Sequence, residues 1–141
     1  MLGTRRKSRE LALQALYQWN ITRQDPFLIL GQLKANFLPT DGKDEFAEEI
    51  VVGVLEHYSQ IDQLIEKYSE HWRLDRISII DHNILRMAIF ELLFREDIPP
   101  KVTLNEAIDL GKRFGSEDSS GFINGILDRI QKEVIHKPNG S

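Results

Sequence analysis

Apolar positions recur every three or four residues along most of the chain, and the strict alternation that marks a half-buried strand is absent. At about 100° per residue, Leu13, Leu16, Tyr17, Asn20 and Ile21 share one face of a helix expected from Thr4 to Arg23. Asp25 and Pro26 break it. Phe27, Leu30, Leu33 and Phe37 then mark a short helix to Leu38, closed by Pro39 and Gly42. The strongest periodicity lies between Asp44 and Tyr68, where Phe46, Ile50, Val54, Tyr58, Ile61, Ile65 and Tyr68 step by threes and fours. Ser59 with Asp62 resembles a capping pair, which predicts a restart near Ser59 and so two helices in this stretch.

From Ile77 to Arg95 the apolar residues cover nearly every side: Ile80, Ile84 and Ala88 on one face, Leu85, Ile89 and Leu93 on another. That pattern predicts the central, most buried helix. Pro99 and Pro100 follow it. Thr103 to Glu106 reads as a capping box opening a helix to about Phe114, and Ser116 to Gly121 as a polar loop. A last helix buries Ile123, Leu127, Ile130 and Val134, and the tail from about Lys137 reads as frayed. About seven helices with short connections predict an all-α bundle forming a single domain over residues 1–141.

A chain of 141 residues with 41% apolar and 28% charged residues is long enough for a core of its own. With no cysteine, disulfides, thiolate metal sites and a cysteine nucleophile are excluded, and a reducing, cytoplasmic setting fits. The basic start, Met1 to Arg9, runs into Glu10 and a helical pattern, so no secretory leader is predicted. The most apolar stretch, Ile77 to Phe94, contains Asp81, His82, Asn83, Arg86 and Glu91, which rules out a membrane span of about 18 or more apolar residues. His57, His71, His82 and His136 are scattered without a metal-ligand spacing, and no phosphate-cradling glycine motif is present. These absences predict a protein that is not an enzyme and needs no metal or cofactor.

Charge distribution changes the picture more than the net −4 does. Residues 1–23 carry Arg5, Arg6, Lys7, Arg9 and Arg23 against Glu10 alone, leaving the remainder at −8. A basic head on an acidic body suits an anionic ligand at one end and a basic partner elsewhere. Arg5, Arg6, Lys7 and Arg9 occupy the start of a helix, where the macrodipole disfavours each cation by about 0.3 to 1 kcal/mol at low salt. Two readings follow, a phosphate-binding arm over about residues 1–10 or a solvated charged terminus. Arg9 stands one turn before Leu13 and points with the apolar face, which favours a buried or half-buried setting over a phosphate contact. Four phosphate contacts on single-stranded RNA give a salt slope of about −3, too little alone for tight binding, so an aromatic stacking surface is also required. Phe122 follows Ser119, Ser120 and Gly121 and lies about 100° from the Ile123 stripe, placing it between base stacking and ordinary packing. Tyr17, one turn after Leu13, belongs with the core and brings only its hydroxyl to a rim.

Several separated segments carry a resemblance: Arg5 to Glu10, Ala15-Leu16-Tyr17, Asp81 to Glu91 with Ile84-Leu85-Arg86 inside it, Pro100-Lys101-Val102, Asn105-Glu106-Ala107, and Phe122 to Asp128. In this order they closely resemble the NusB family of bacterial transcription antitermination factors, over nearly the whole chain. The resemblance implies two packed three-helix bundles plus a short helix. It also implies binding of the boxA element of ribosomal RNA operon transcripts together with a small-subunit ribosomal protein, NusE. The pair would join RNA polymerase and the other Nus factors. By position the resemblance places Arg5, Arg6, Lys7, Arg9 and Phe122 at the RNA, and Tyr17, Asp81 and Asp118 where the family meets or modulates its ribosomal-protein partner or RNA. Asp81 stands where the family carries a glutamate, so the acid is kept with a shorter reach. The alternative is a helical protein-interaction scaffold that does not touch RNA. A homodimer stays open, because amphipathic helices bury a face against a second copy as readily as internally.

Overall fold

A computed structural model describes residues 2–37, 45–69 and 74–135. It contains six α-helices, α1 (Leu2–Thr22), α2 (Pro26–Phe37), α3 (Glu45–Tyr68), α4 (Ile79–Phe94), α5 (Pro100–Phe114) and α6 (Ser119–Val134). A single 3₁₀ turn, Leu74–Arg76, precedes α4, and no strand occurs among the described residues. The all-α expectation therefore holds, and the described residues form six α-helices, close to the seven or so predicted. The expected stop at Pro39 and Gly42, His71, His136 and the tail from Lys137 lie outside the described residues. The chain falls into two compact units, residues 1–56 and 57–141.

In the first unit α1 and α2 pack together, burying Leu11, Ala12, Ala15 and Leu16 of α1 with Ile29, Leu30 and Leu33 of α2. The link between them is built from local hydrogen bonds. Arg23 adopts φ 62°, the left-handed conformation that commonly ends a helix, and its N–H donates to the Trp19 carbonyl at 2.9 Å. Asp25 then accepts from the Phe27 N–H at 2.9 Å, so Asp25 caps α2 and Pro26 fills a first-turn position that needs no donor. The N-terminal half of α3 adds Phe46, Ile50 and Val54 to the buried set.

In the second unit α4 is the central helix, buried on all sides from Asn83 to Leu92 as its unbroken apolar pattern predicts. Ser78 caps it, its hydroxyl accepting from the Asp81 N–H at 3.1 Å. Both α5 and α6 pack on α4 and on each other. They approach closely at Gly111, where a Cβ would stand 3.0 Å from the Ile123 Cδ1. Ile123, Ile126, Leu127 and Ile130 supply the buried face of α6.

Two boundaries differ from expectation. The Ser59–Asp62 pair does not restart α3, which runs unbroken through it: Ser59 is exposed, and the Asp62 carboxylate is taken by α4 instead of by the local backbone. The stretch read as two helices is therefore one. Nor does Thr103 open α5. The helix starts three residues earlier at Pro100, whose missing N–H and fixed φ suit a first position. Thr103 is buried and donates its hydroxyl to Glu91 at 2.8 Å.

Candidate functional site

Each unit carries part of the chemistry singled out in the sequence. In the first unit the cationic start of α1 meets no acidic residue in its first turn. The four cations there are not equivalent. Arg5 lays its guanidinium 4.4 Å from the centroid of the Phe46 ring, and Arg9 lies 5.1 Å from the same centroid. Arg9 is 3% exposed, as its register with Leu13 predicts, so its charge is spent inside the unit. Arg6 is exposed, and Lys7, half-exposed, sits 3.8 Å from Glu10 one turn on. The outward charge thus comes from Arg6 and Lys7 with the rim of Arg5, and Arg9 with Phe46 forms the support beneath it.

Tyr17 is exposed, where the sequence placed it in the core with only its hydroxyl at a rim. The heptad face is wide enough to bury Leu13 and Leu16, and Tyr17 falls at its edge beside the exposed Ile21. An aromatic and an aliphatic side chain one turn apart make a small apolar face on α1.

In the second unit, Asp118 ends the turn before α6 and is exposed, and its carbonyl accepts from the Phe122 N–H at 3.1 Å. Its side chain caps nothing. Ser119, buried, takes over part of that work by accepting from the Ser116 N–H at 2.9 Å. Phe122 is half-buried and lines a cavity of about 800 Å³ together with Ile77, Ile80, Asp81 and Phe114. Asp81 is 8% exposed, and its Oδ1 has no hydrogen-bond donor among the described residues. The structure therefore groups Phe122, Asp81 and Asp118 around one cavity.

Sequence reasoning missed Phe114 and Arg76, both exposed and both lining that cavity. Phe114 ends α5 immediately before Gly115, and an exposed aromatic at a helix end beside a glycine was the available signal. It also missed a charged cluster between α3 and α4. There Asp62, His82 and Arg86 meet within 3.0 Å, and the carboxyl of Asp62 is lowered from 3.8 to about 2. Burial opposes that ionisation, but hydrogen bonds from His82 and Arg86 and the Arg86 charge outweigh it. Among the described residues no group of three or more His, Cys, Asp or Glu side chains is arranged to hold a metal ion, and no helix is long and apolar enough to cross a membrane.

Comparison with known proteins adds an independent line. Residues 6–132 match the model of the NusB family. The chain is 50% identical over 141 residues to the transcription antitermination protein NusB of Myxococcus xanthus (strain DK1622), covering 97% of this chain and all of that protein. It is 45% identical over 146 residues to the protein of the same name from Geobacter sp. (strain M21), covering 96% and 99%. Among solved structures it is similar to T. maritima NusB, with a TM-score of 0.80 at 41% identity over 94% of this chain and 93% of that one. It is also similar to a chain in a crystal structure of the antitermination factors NusB and NusE in complex with dsRNA, with a TM-score of 0.82 at 29% identity over 94% and 98%.

Proposed function

The chain belongs to the NusB family, and from that premise we infer that it is an RNA-binding transcription antitermination factor working with the ribosomal protein NusE. The observation that carries the reading is the match along nearly the full length of proteins named for antitermination, with Arg6, Lys7, Arg9 and Phe122 inside the span of the family match. The factor acts by assembly in the cytoplasm, not by catalysis.

The residues divide the work. Arg5, Arg6 and Lys7 supply salt-sensitive phosphate contacts, which position RNA without reading it. Arg9 holds the Phe46 platform under them and acts as a positioning residue. Phe122 stacks against an unpaired base of boxA RNA. Tyr17 and Asp118, both exposed, and Asp81, in the wall of the cavity beside Phe122, are the residues available to a basic protein partner. RNA and partner then strengthen each other's binding by the same factor, as linkage requires. RNA polymerase and the other Nus factors join through that assembly.

Terminator read-through in a purified transcription system tests this directly. Templates carrying boxA are expected to show more read-through when this chain and NusE are both added, and templates with a scrambled boxA are not. Equal read-through on both templates rejects the role.

A further inference from the structure

In the first unit α2 has two unlike faces, and its sequence separates them cleanly. Ile29, Leu30 and Leu33 are buried, and so is Lys34, the only charged residue of the helix, whose Nζ donates to Glu48 Oε1 at 2.7 Å. With that charge spent inside the unit, the outer face consists of Phe27, Leu28, Gly31, Gln32 and Ala35, all exposed and none charged. Phe27 is 46% exposed and Leu28 62%. At about 100° per residue, Gly31 and Ala35 fall between these two large side chains, so the face has a shallow centre with apolar shoulders. The outward face of a surface helix normally carries charged residues, and a face of exposed apolar residues without them marks a surface that something covers.

Gly31 says what kind of surface that is. Glycine in a helix interior weakens the helix relative to alanine, and nothing inside the chain makes use of it here: a Cβ at Gly31 would meet nothing within 4 Å. The room it leaves opens outward. An incoming surface brings no charge, because a cation or carboxylate pressed against this face would be buried without a partner. It is also a helix with a small residue at its own crossing point, since only then do two backbones come close enough to enclose Phe27 and Leu28 together. The chain itself owns such a face, and two copies related by a two-fold axis join it to itself without like-charge repulsion. A basic protein is drawn instead to the acidic surfaces elsewhere on the chain.

We propose that the outer face of α2 pairs with the same face of a second copy of this chain, the two helices crossing at Gly31 in a two-fold symmetric dimer. One face of a 12-residue helix is smaller than a standard interface of about 1,600 Å², so the dimer is weak, with a dissociation constant of about 10 to 100 µM. The inner face of α2 packs on α1, so the pairing leaves Arg6 and Lys7 uncovered, and a dimer presents two basic starts. The pairing is independent of the RNA-binding reading and goes beyond it.

Sedimentation velocity of the full chain from about 1 to 300 µM tests the proposal, with a dimer expected to form as concentration rises. Gly31→Leu separates a close crossing from general stickiness. Leucine is the better helix former and has open space around it, so the monomer stays folded, but it props the helices apart and should weaken the dimer by at least about tenfold. Leu28→Asp, which places a carboxylate on each side of the contact, should weaken it by about a hundredfold. Circular dichroism confirms that both variants are folded; if Leu28→Asp unfolds, Leu28→Gln takes its place. A monomer at every concentration overturns the proposal. A dimer unchanged or tightened by Gly31→Leu overturns the crossing, and a dimer that survives Leu28→Asp uses another face; each result defeats the proposal. A chain that is monomeric alone but whose α2 amides are protected from hydrogen exchange by NusE assigns the face to that partner, again against the proposal.

Discussion

Arg86 grips Asp62 with two prongs, Nε to Oδ1 at 3.0 Å and Nη2 to Oδ2 at 2.8 Å, across the gap between α3 and α4. His82 shares Oδ1 at 2.8 Å, and Arg86 spends a third donor on Asn83 at 3.1 Å. The carboxylate is therefore held ionised well below its ordinary range, at about 2. A carboxyl depressed on folding adds stability that is complete above its unfolded value of 3.8 and is lost as the pH falls toward 2. The displacement corresponds to about 2 kcal/mol. Urea midpoints measured at pH 6 and pH 2.5 should fall more for the natural chain than for Asp62→Asn. At pH 6 the variant itself should be destabilised by about 3 kcal/mol, because it leaves Arg86 largely buried without its charge partner. Equal pH dependence in the two proteins would remove Asp62 from the acid response.

Thr103 and Glu91 make a second buried pair, with the hydroxyl 2.8 Å from Oε1 and both side chains nearly inaccessible. Thr103→Val keeps the shape and removes the donor. The expected cost is about 1 to 3 kcal/mol in urea unfolding at neutral pH. A cost below about 0.5 kcal/mol would mean that water or another donor replaces the hydroxyl.

Gly115 joins α5 to the turn before α6 without room for a side chain. A Cβ there would overlap the Ser119 side chain and stand 2.8 Å from the Gly111 carbonyl oxygen. Gly115→Ala should cost about 1 to 3 kcal/mol and displace Ser119 from its bond to Ser116, loosening the rim of the cavity. Thermal unfolding with an amide spectrum of residues 115–122 checks both effects.

The arginines of α1 separate into contact and support. Replacing Arg5 and Arg6 together by alanine should reduce the RNA salt slope by about 1.4, at roughly 0.7 per lost contact on a single strand. Arg9→Ala should leave the slope nearly unchanged and lower stability by about 2 kcal/mol through lost stacking on Phe46 and lost packing. A slope change for Arg9 equal to that of Arg6 would return it to the RNA-contacting set.

How much of this was legible depended on whether the information was local. The burial of α4 follows from its own composition, and the burial of Arg9 from its register with Leu13, one turn away. Asp25 and Pro26 announced the break between α1 and α2. By contrast, the capping pairs at Ser59 and Thr103 were real sequence signals overruled by tertiary partners: Asp62 belongs to Arg86, 24 residues on, and Thr103 to Glu91. No periodicity reveals a partner on another helix. The cavity is hidden for the same reason, since Asp81, Phe114 and Phe122 come from three helices and their convergence is set by how α4, α5 and α6 cross.

The central claim is that one chain joins boxA RNA to NusE, and fluorescence anisotropy of labelled boxA and scrambled RNAs, with and without purified NusE at two salt concentrations, tests it most directly. The account predicts tighter binding of boxA than of the scrambled RNA, a preference that grows when NusE is present, and weakening by salt and by loss of Arg5 and Arg6. Binding of NusE with no binding of either RNA under any condition would contradict it and leave a helical protein-interaction scaffold.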